Sequence, residues 1–236
     1  ETKYINFPIE DFYFSKEEME EILDSANNTY YNTGKQELED DDFDFLKEFL
    51  ISKFPKTRYK NKTGYEVTGE KVNLPYWMGS MTNKKEKKKV DSYIDKYEED
   101  FVLMSKLDGI SALLNKNGTG IKLYTRGNGK QGKDISHLIP YLKIPDVSSH
   151  SEICIRGELL IKTDTYDKLK SDSANSRSFV SGMVNSKKPN VKYVKYIDFV
   201  AYEMLYPQFK ISEQLKKIKR LGFNTVQNKS VEEINF

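Results

Sequence analysis

Between Ser15 and Pro55 apolar residues recur at helical spacing. Met19, Ile22, Leu23 and Ala26 fall on one face. Ser15-Lys16-Glu17-Glu18 marks the start of that helix as a capping box, with serine at the cap and glutamate three positions on. Asn32-Thr33-Gly34 breaks it. A second helix is predicted from about Glu39 to Lys53, with Phe43, Leu46, Phe49 and Leu50 on one side and Pro55 ending it. The first 55 residues or so therefore read as a small helical lobe.

Residues 56–74 are polar, contain lysine and glycine, and read as a connector. Lys84 to Lys89 is nearly all charge. It is either a nucleic-acid-binding patch or the solvated face of a helix running to about Glu99, with Val90, Tyr93, Ile94 and Tyr97 inward. From Phe101 the period changes to two. Strands are predicted over 101–107, 110–116, 120–126, 152–161 and 196–205. Lys116-Asn117-Gly118-Thr119-Gly120 reads as a hairpin turn. Residues 164–171 and 212–221 read as helices, the second closed by Gly222. The expected class is α+β, a helical lobe followed by a body built on a mostly antiparallel sheet.

Composition narrows the partners. The 236 residues are 37% hydrophobic, enough for one large or two small domains with a real core. Charged residues make up 31% but the net charge is only +2, so any nucleic-acid surface must be local. Cys154 is the single cysteine, which excludes an internal disulfide and a cysteine-based zinc site. His137 and His150 are too few for a histidine-rich metal site. No apolar run reaches membrane-spanning length and no secretory signal heads the chain, so a soluble intracellular protein without a membrane partner is expected. The chain starts at Glu1 rather than methionine, which points to a fragment.

Lys106-Leu107-Asp108-Gly109 is the stretch richest in chemistry. Strand alternation puts Phe101, Leu103, Ser105 and Leu107 on one face and Val102, Met104, Lys106 and Asp108 on the other. Apolar neighbours there would disfavour an ammonium and favour the neutral amine that attack on phosphorus requires. Gly109 would let the chain turn close to a ligand. In the strand Glu152–Ile161, Ile153, Ile155, Leu159 and Ile161 form an apolar face, and Cys154, Arg156 and Glu158 the other. Glu158 is placed either to hold a ribose hydroxyl or a metal, or to pair with Arg156. Thr125-Arg126-Gly127-Asn128-Gly129 opens a basic, glycine-rich loop able to present N–H groups and Arg126 to a phosphate, although a plain hairpin also uses Asn-Gly. Ala174-Asn175-Ser176-Arg177 to Gly182 adds a second arginine, in a stretch read as a loop.

These elements occur together and in order, and the set resembles the nucleotidyltransferase domain of NAD-dependent DNA ligases. The family reads KLDG, TRGDG, VRGE and NPRN where this chain has KLDG, TRGNG, IRGEL and ANSR. Asn73-Leu74-Pro75-Tyr76-Trp77-Met78-Gly79-Ser80-Met81 resembles the segment before that domain's first helix. The N-terminal lobe resembles the family's nicotinamide mononucleotide (NMN)-binding subdomain, whose Tyr-His and Asp-x-x-Tyr-Asp motif corresponds to Tyr30, Tyr31, Asp40, Phe43 and Asp44. Aromatic rings there can stack on nicotinamide, and carboxylates can hold its ribose or its cationic ring. Helix capping and core packing account for part of that stretch equally well.

The resemblance implies an antiparallel-sheet, ATP-grasp-like ligase domain over 61–236, preceded by an NMN-binding lobe over 1–60. It implies that Lys106 becomes adenylylated from NAD with release of NMN, and that AMP then passes to a nicked double-stranded DNA with Mg²⁺ assisting, the protein being a monomer. Glu158 would hold the AMP ribose, Tyr202 would stack on adenine, and Arg126 and Arg177 would handle phosphates. Ser80, Met81, Met104, Leu107 and Asp108 would line the nucleotide site. An ATP- or GTP-dependent lysine nucleotidyltransferase and an inactive NAD- or DNA-binding module remain the other readings. The chain departs from the family at Tyr31, Phe43, Met104, Asn128 and Asn185, which replace a histidine, a tyrosine, a glutamate, an aspartate and a second arginine. These changes suggest a divergent, virus-like branch. The family's D-G-x-V-x-K motif, its oligonucleotide-binding barrel and its zinc finger do not occur within the 236 residues.

Overall fold

Ser15 starts the first helix as its sequence requires. Its hydroxyl accepts from Glu18 N–H at 3.2 Å, while the Glu18 carboxylate accepts from Ser15 N–H at 2.7 Å. The computed structural model describes residues 14–33, 37–60, 70–79, 87–96, 101–118, 120–169, 171, 173–186 and 188–231. Helices α1 (Lys16–Thr33) and α2 (Asp40–Lys53) pack through Met19, Leu23, Leu46 and Leu50. Tyr59, in a short 3₁₀ turn (Arg58–Lys60), completes this small core. Beside it Thr57 Oγ1 donates to Glu20 at 2.6 Å and Arg58 Nε to the same carboxylate at 2.9 Å, fixing the end of the lobe to α1.

The remaining elements follow as β1 (Val72–Asn73), α3 (Lys87–Lys96), β2 (Phe101–Met104), β3 (Ile110–Asn117), β4 (Gly120–Thr125) and β5 (Gln131–Gly132). After a 3₁₀ turn (Ser136–Tyr141) come β6 (Glu152–Ile161), α4 (Thr163–Leu169), α5 (Ser176–Asn185), α6 (Val191–Val194), β7 (Ile197–Tyr206), α7 (Ile211–Arg220), β8 (Asn224–Thr225) and β9 (Asn228–Val231). The main sheet has the order β4-β3-β6-β7-β8, antiparallel except for the β7–β8 pair. The α+β expectation holds. No described helix is long and apolar enough to cross a membrane.

One face of the sheet carries Ala112, Leu114, Leu123, Ile155, Leu159 and Phe199 into a core closed by helices, including Phe179 and Val180 of α5 and Ile218 of α7. The opposite face is covered differently. Met78 packs on Leu113 and Cys154, and the strap from Val72 to Met78 runs over the strands. The two face assignments made for β6 from its alternation are therefore right. Helix α7 ends at Gly222 (φ 89°), with Phe223 N–H bonded to Ile218 and Gly222 N–H to Lys219.

Three expectations fail, and one of the two alternatives for Glu158 falls away. The strand from Phe101 stops at Met104 instead of reaching Leu107, and it pairs with β9 in a separate two-stranded ribbon. Helix α3 buries none of its residues; Tyr93 is exposed and Val90 and Ile94 are only half-buried, while Tyr97 lies outside the described residues. Residues 176–182 belong to helix α5 rather than a loop, started by Asn175, whose side chain accepts from Ser178 N–H at 2.7 Å. Arg156 does not pair with Glu158: its partner across the sheet is Glu203, at 2.8 Å. Because the Asn175 cap starts the helix that carries Arg177, Asn175→Ala is expected to cost about 1 kcal/mol, measurable as a lower urea midpoint with an unchanged slope.

Candidate active site

Register places the site. Ser111 on β3 lies opposite Glu158 on β6, and its hydroxyl donates to the carboxylate at 2.9 Å. Gly109 N–H donates to the same carboxylate. This approach requires glycine at position 109: a Cβ there would stand 2.3 Å from the Leu159 carbonyl oxygen and 3.0 Å from Glu158 Cγ. Gly109→Ala is therefore expected to lose about 1–3 kcal/mol of stability, seen as a lower melting temperature, because the carbonyl it strikes belongs to the central sheet.

Glu158 is buried, at 7% exposure. Burial pushes its carboxyl above the usual carboxylate range, against the opposing pull of Ser111, Arg177, Gly109 N–H and Arg126. Tyr202 on β7 is half-buried beside Glu158 and Arg156; burial, then the Glu158 charge, pushes its phenol up to about 12. It belongs neither to the main core nor to open solvent.

Arg177 joins three parts of the chain. It stands in the first turn of α5, its Nη1 lies 2.8 Å from Asp108 Oδ1, and its guanidinium lies over the Tyr30 ring of α1 at 4.9 Å from the centroid. The Lys-Leu-Asp-Gly stretch is thus held at two points, Asp108 through Arg177 and Gly109 through Glu158. Lys106, two residues before Asp108, lies past the end of β2 and is exposed, so the apolar shielding expected from strand alternation is not there. Leu107 is half-buried and Met104, the last residue of β2, is 38% exposed.

The Thr125–Gly129 turn is built by its own polar groups. Asn128 Oδ1 accepts from Lys130 N–H at 3.0 Å and Gln131 N–H at 2.8 Å. An aspartate oxygen could make the same two bonds, so asparagine keeps the turn while removing a charge. Gly127 and Gly129 take positive φ (53° and 88°), and Gly129 abuts the Met78 carbonyl, which ties the turn to the strap. The loop continues into a small recess of about 30 Å³, room for a few water-sized groups. Ser111, Thr125, Arg126, Arg177 and Asn185 line it.

The structure thus brings together Asp108, Arg126, Glu158, Arg177 and Tyr202, with Tyr30 reaching in from the lobe. Phe43 is half-buried against the lobe core, as helix packing alone predicts, and Asp44 is half-buried on the same helix. Tyr31 and Asp40 have side chains outside the described residues, and Ser80 and Met81 lie outside them altogether. Ser111 was not foreseen. The only signal for it is the β3–β6 register, which sequence does not print.

Residues 71–235 match the family model for the NAD-dependent DNA ligase adenylation domain. The DNA ligase of Acanthamoeba polyphaga mimivirus is 38% identical over 216 residues, covering 89% of this chain and 34% of that protein. The 205R protein of Invertebrate iridescent virus 6 is 35% identical, covering 97% of this chain and 38% of its own. The DNA ligase of Wolbachia pipientis subsp. Culex pipiens (strain wPip) is 26% identical, covering 92% and 36%. The chain spans about a third of the length of these relatives. The resemblance to viral sequences is borne out by the first two, and with the adenylation-domain match covering most of its length the chain belongs to the NAD-dependent DNA ligase family.

Proposed function

We propose that this chain carries out the first step of DNA ligation, its own adenylylation by NAD, and that Lys106 is the nucleophile. The observation that supports this reading most is the double tie of the Lys106–Gly109 stretch, to Arg177 through Asp108 and to Glu158 through Gly109. It ties the stretch that carries the lysine to Arg177 and to Glu158, a cation and a carboxyl of the kind a nucleotide needs. Lys106 Nζ, once it has shed its proton, forms a bond to the adenylyl phosphorus of the substrate NAD. The bond from that phosphorus to the bridging oxygen breaks, and NMN leaves with the oxygen. Glu158 holds the ribose of AMP, Tyr202 stacks on adenine, and Arg126 and Arg177 neutralise the phosphates as charge moves to the leaving group. Ser80, Met81, Met104 and Leu107 complete the nucleotide site, and Tyr30, Tyr31, Asp40, Phe43 and Asp44 engage the NMN half.

In this reading residues 1–60 form the NMN-binding lobe and 61–236 the adenylation region, acting as a monomer. AMP then passes to the 5′-phosphate of a nicked duplex, and the 3′-hydroxyl displaces it to seal the strand. Among the described residues no group of three His, Cys, Asp or Glu side chains is placed to cage a metal. A Mg²⁺ bound chiefly through substrate phosphates asks for no such cage. Incubating the chain with NAD or ATP labelled in the adenine, or with GTP labelled in the guanine, tests the proposal. Covalent label from NAD is expected; label from ATP or GTP alone would replace it with a different nucleotidyltransferase.

A further inference from the structure

Lys133 is unused by the reaction just described, yet it is bonded to two residues that line the same recess, Thr125 and Asn185. Its backbone is clamped to Thr125 in both directions: Lys133 N–H donates to Thr125 Oγ1 and Thr125 N–H to the Lys133 carbonyl, each at 3.0 Å. Its ammonium donates to Asn185 Oδ1 at 2.8 Å. The Asn185 amide is fixed in that sense, because its Nδ2 donates to the Ser181 carbonyl at 3.1 Å and to Ser181 Oγ at 3.2 Å. Both Thr125 and Asn185 line the recess that Arg126 and Arg177 also line.

The electrostatics of this arrangement ask for an anion. Lys133 is half-buried, and burial lowers its affinity for the proton with no carboxylate offsetting the effect. The adjacent Asp134 is turned to Lys122, at 2.9 Å, and to Ser136. A half-buried ammonium held by a neutral amide has no opposite charge compensating it there and has two further N–H donors to place. Asn185 is also where the resemblance puts an arginine. The cation missing at 185 is therefore present at 133, hydrogen-bonded to the residue that replaced it.

We propose that Lys133 is the third cation of a phosphate-binding recess shared with Arg126 and Arg177, taking over at position 133 the charge absent from position 185. The inference rests on the proposed function only for the source of the phosphate, which is either the nucleotide or the 5′-end of the nick.

The test is a titration of the full chain with inorganic pyrophosphate, followed by the lysine Nζ resonances, for the native protein, K133Q, K133R and K133Q/N185R. Circular dichroism shows whether each variant is folded. K133Q is expected to bind about tenfold more weakly, with K133R and K133Q/N185R within about threefold of the native chain. Rescue by arginine at 185 separates a displaced charge from a merely structural lysine. Equal affinity of K133Q and the native chain, no pyrophosphate binding by the native chain, or failure of N185R to rescue would each overturn the inference. Parallel titrations with NAD, and with nicked duplexes bearing or lacking the 5′-phosphate, identify the source: the arm that loses affinity in K133Q names it. A chain that binds pyrophosphate through Lys133 but takes no covalent label from NAD would refute the proposed function and leave this inference standing.

Discussion

Lys106→Ala is expected to lower transfer of AMP from NAD to the protein by at least about 10⁴-fold, as removal of a nucleophile does, while leaving the melting temperature unchanged. The two parts of that expectation come from the same fact. Lys106 is exposed past the end of β2, and nothing in the cores depends on it. The contacts that hold its neighbourhood are made by Asp108 with Arg177 and by Gly109 with Glu158, and both survive the substitution. NAD binding, followed by a non-covalent titration, is expected to persist in the variant. Loss of binding together with loss of fold would instead make Lys106 a structural residue.

Glu158→Gln is the second large effect, and it splits function from stability. Glutamine keeps an oxygen to accept from Ser111 and Gly109 but cannot carry charge. AMP transfer is expected to fall by about 100-fold, the scale of a lost charge-assisted hydrogen bond. Stability moves the other way. The Glu158 carboxyl is raised above its ordinary value, chiefly by burial. A raised folded-state value contributes stability that is fully present below the ordinary carboxylate range and is lost as pH climbs through the raised value. The native chain should therefore lose melting temperature relative to E158Q as pH rises from the acid side toward neutrality. Scanning fluorimetry across that range checks it. A variant that melts well below the native chain at neutral pH would mean that the charged carboxylate is itself a stabilising group.

Much of this was legible in the residues. The Ser15 capping box, the faces of α1 and α2 and the two-faced β6 strand followed from spacing, because each is decided by short-range periodicity. The stop of β2 at Met104 was not. Its partner β9, Asn-Lys-Ser-Val, has no strand signature, so where pairing ends could not be read from either segment. Lys106 lies beyond that stop, so strand alternation does not give it apolar neighbours. Helix α5 was legible in principle: Asn175 caps it, and Phe179, Val180, Met183 and Val184 repeat at helical spacing. Ser111 and Lys133 owe their places to register and to a contact across more than fifty residues, between Lys133 and Asn185. Such pairings are tertiary facts, visible only once the strands are laid side by side.

The central claim is that Lys106 itself carries AMP. The most direct measurement is peptide mass spectrometry of the native chain after incubation with NAD. The account predicts one adenylyl group, on the peptide bearing Lys106 and fragmenting at that lysine. An adenylyl group found on another residue, or a chain that stays unmodified with NAD and becomes adenylylated with ATP, would contradict it.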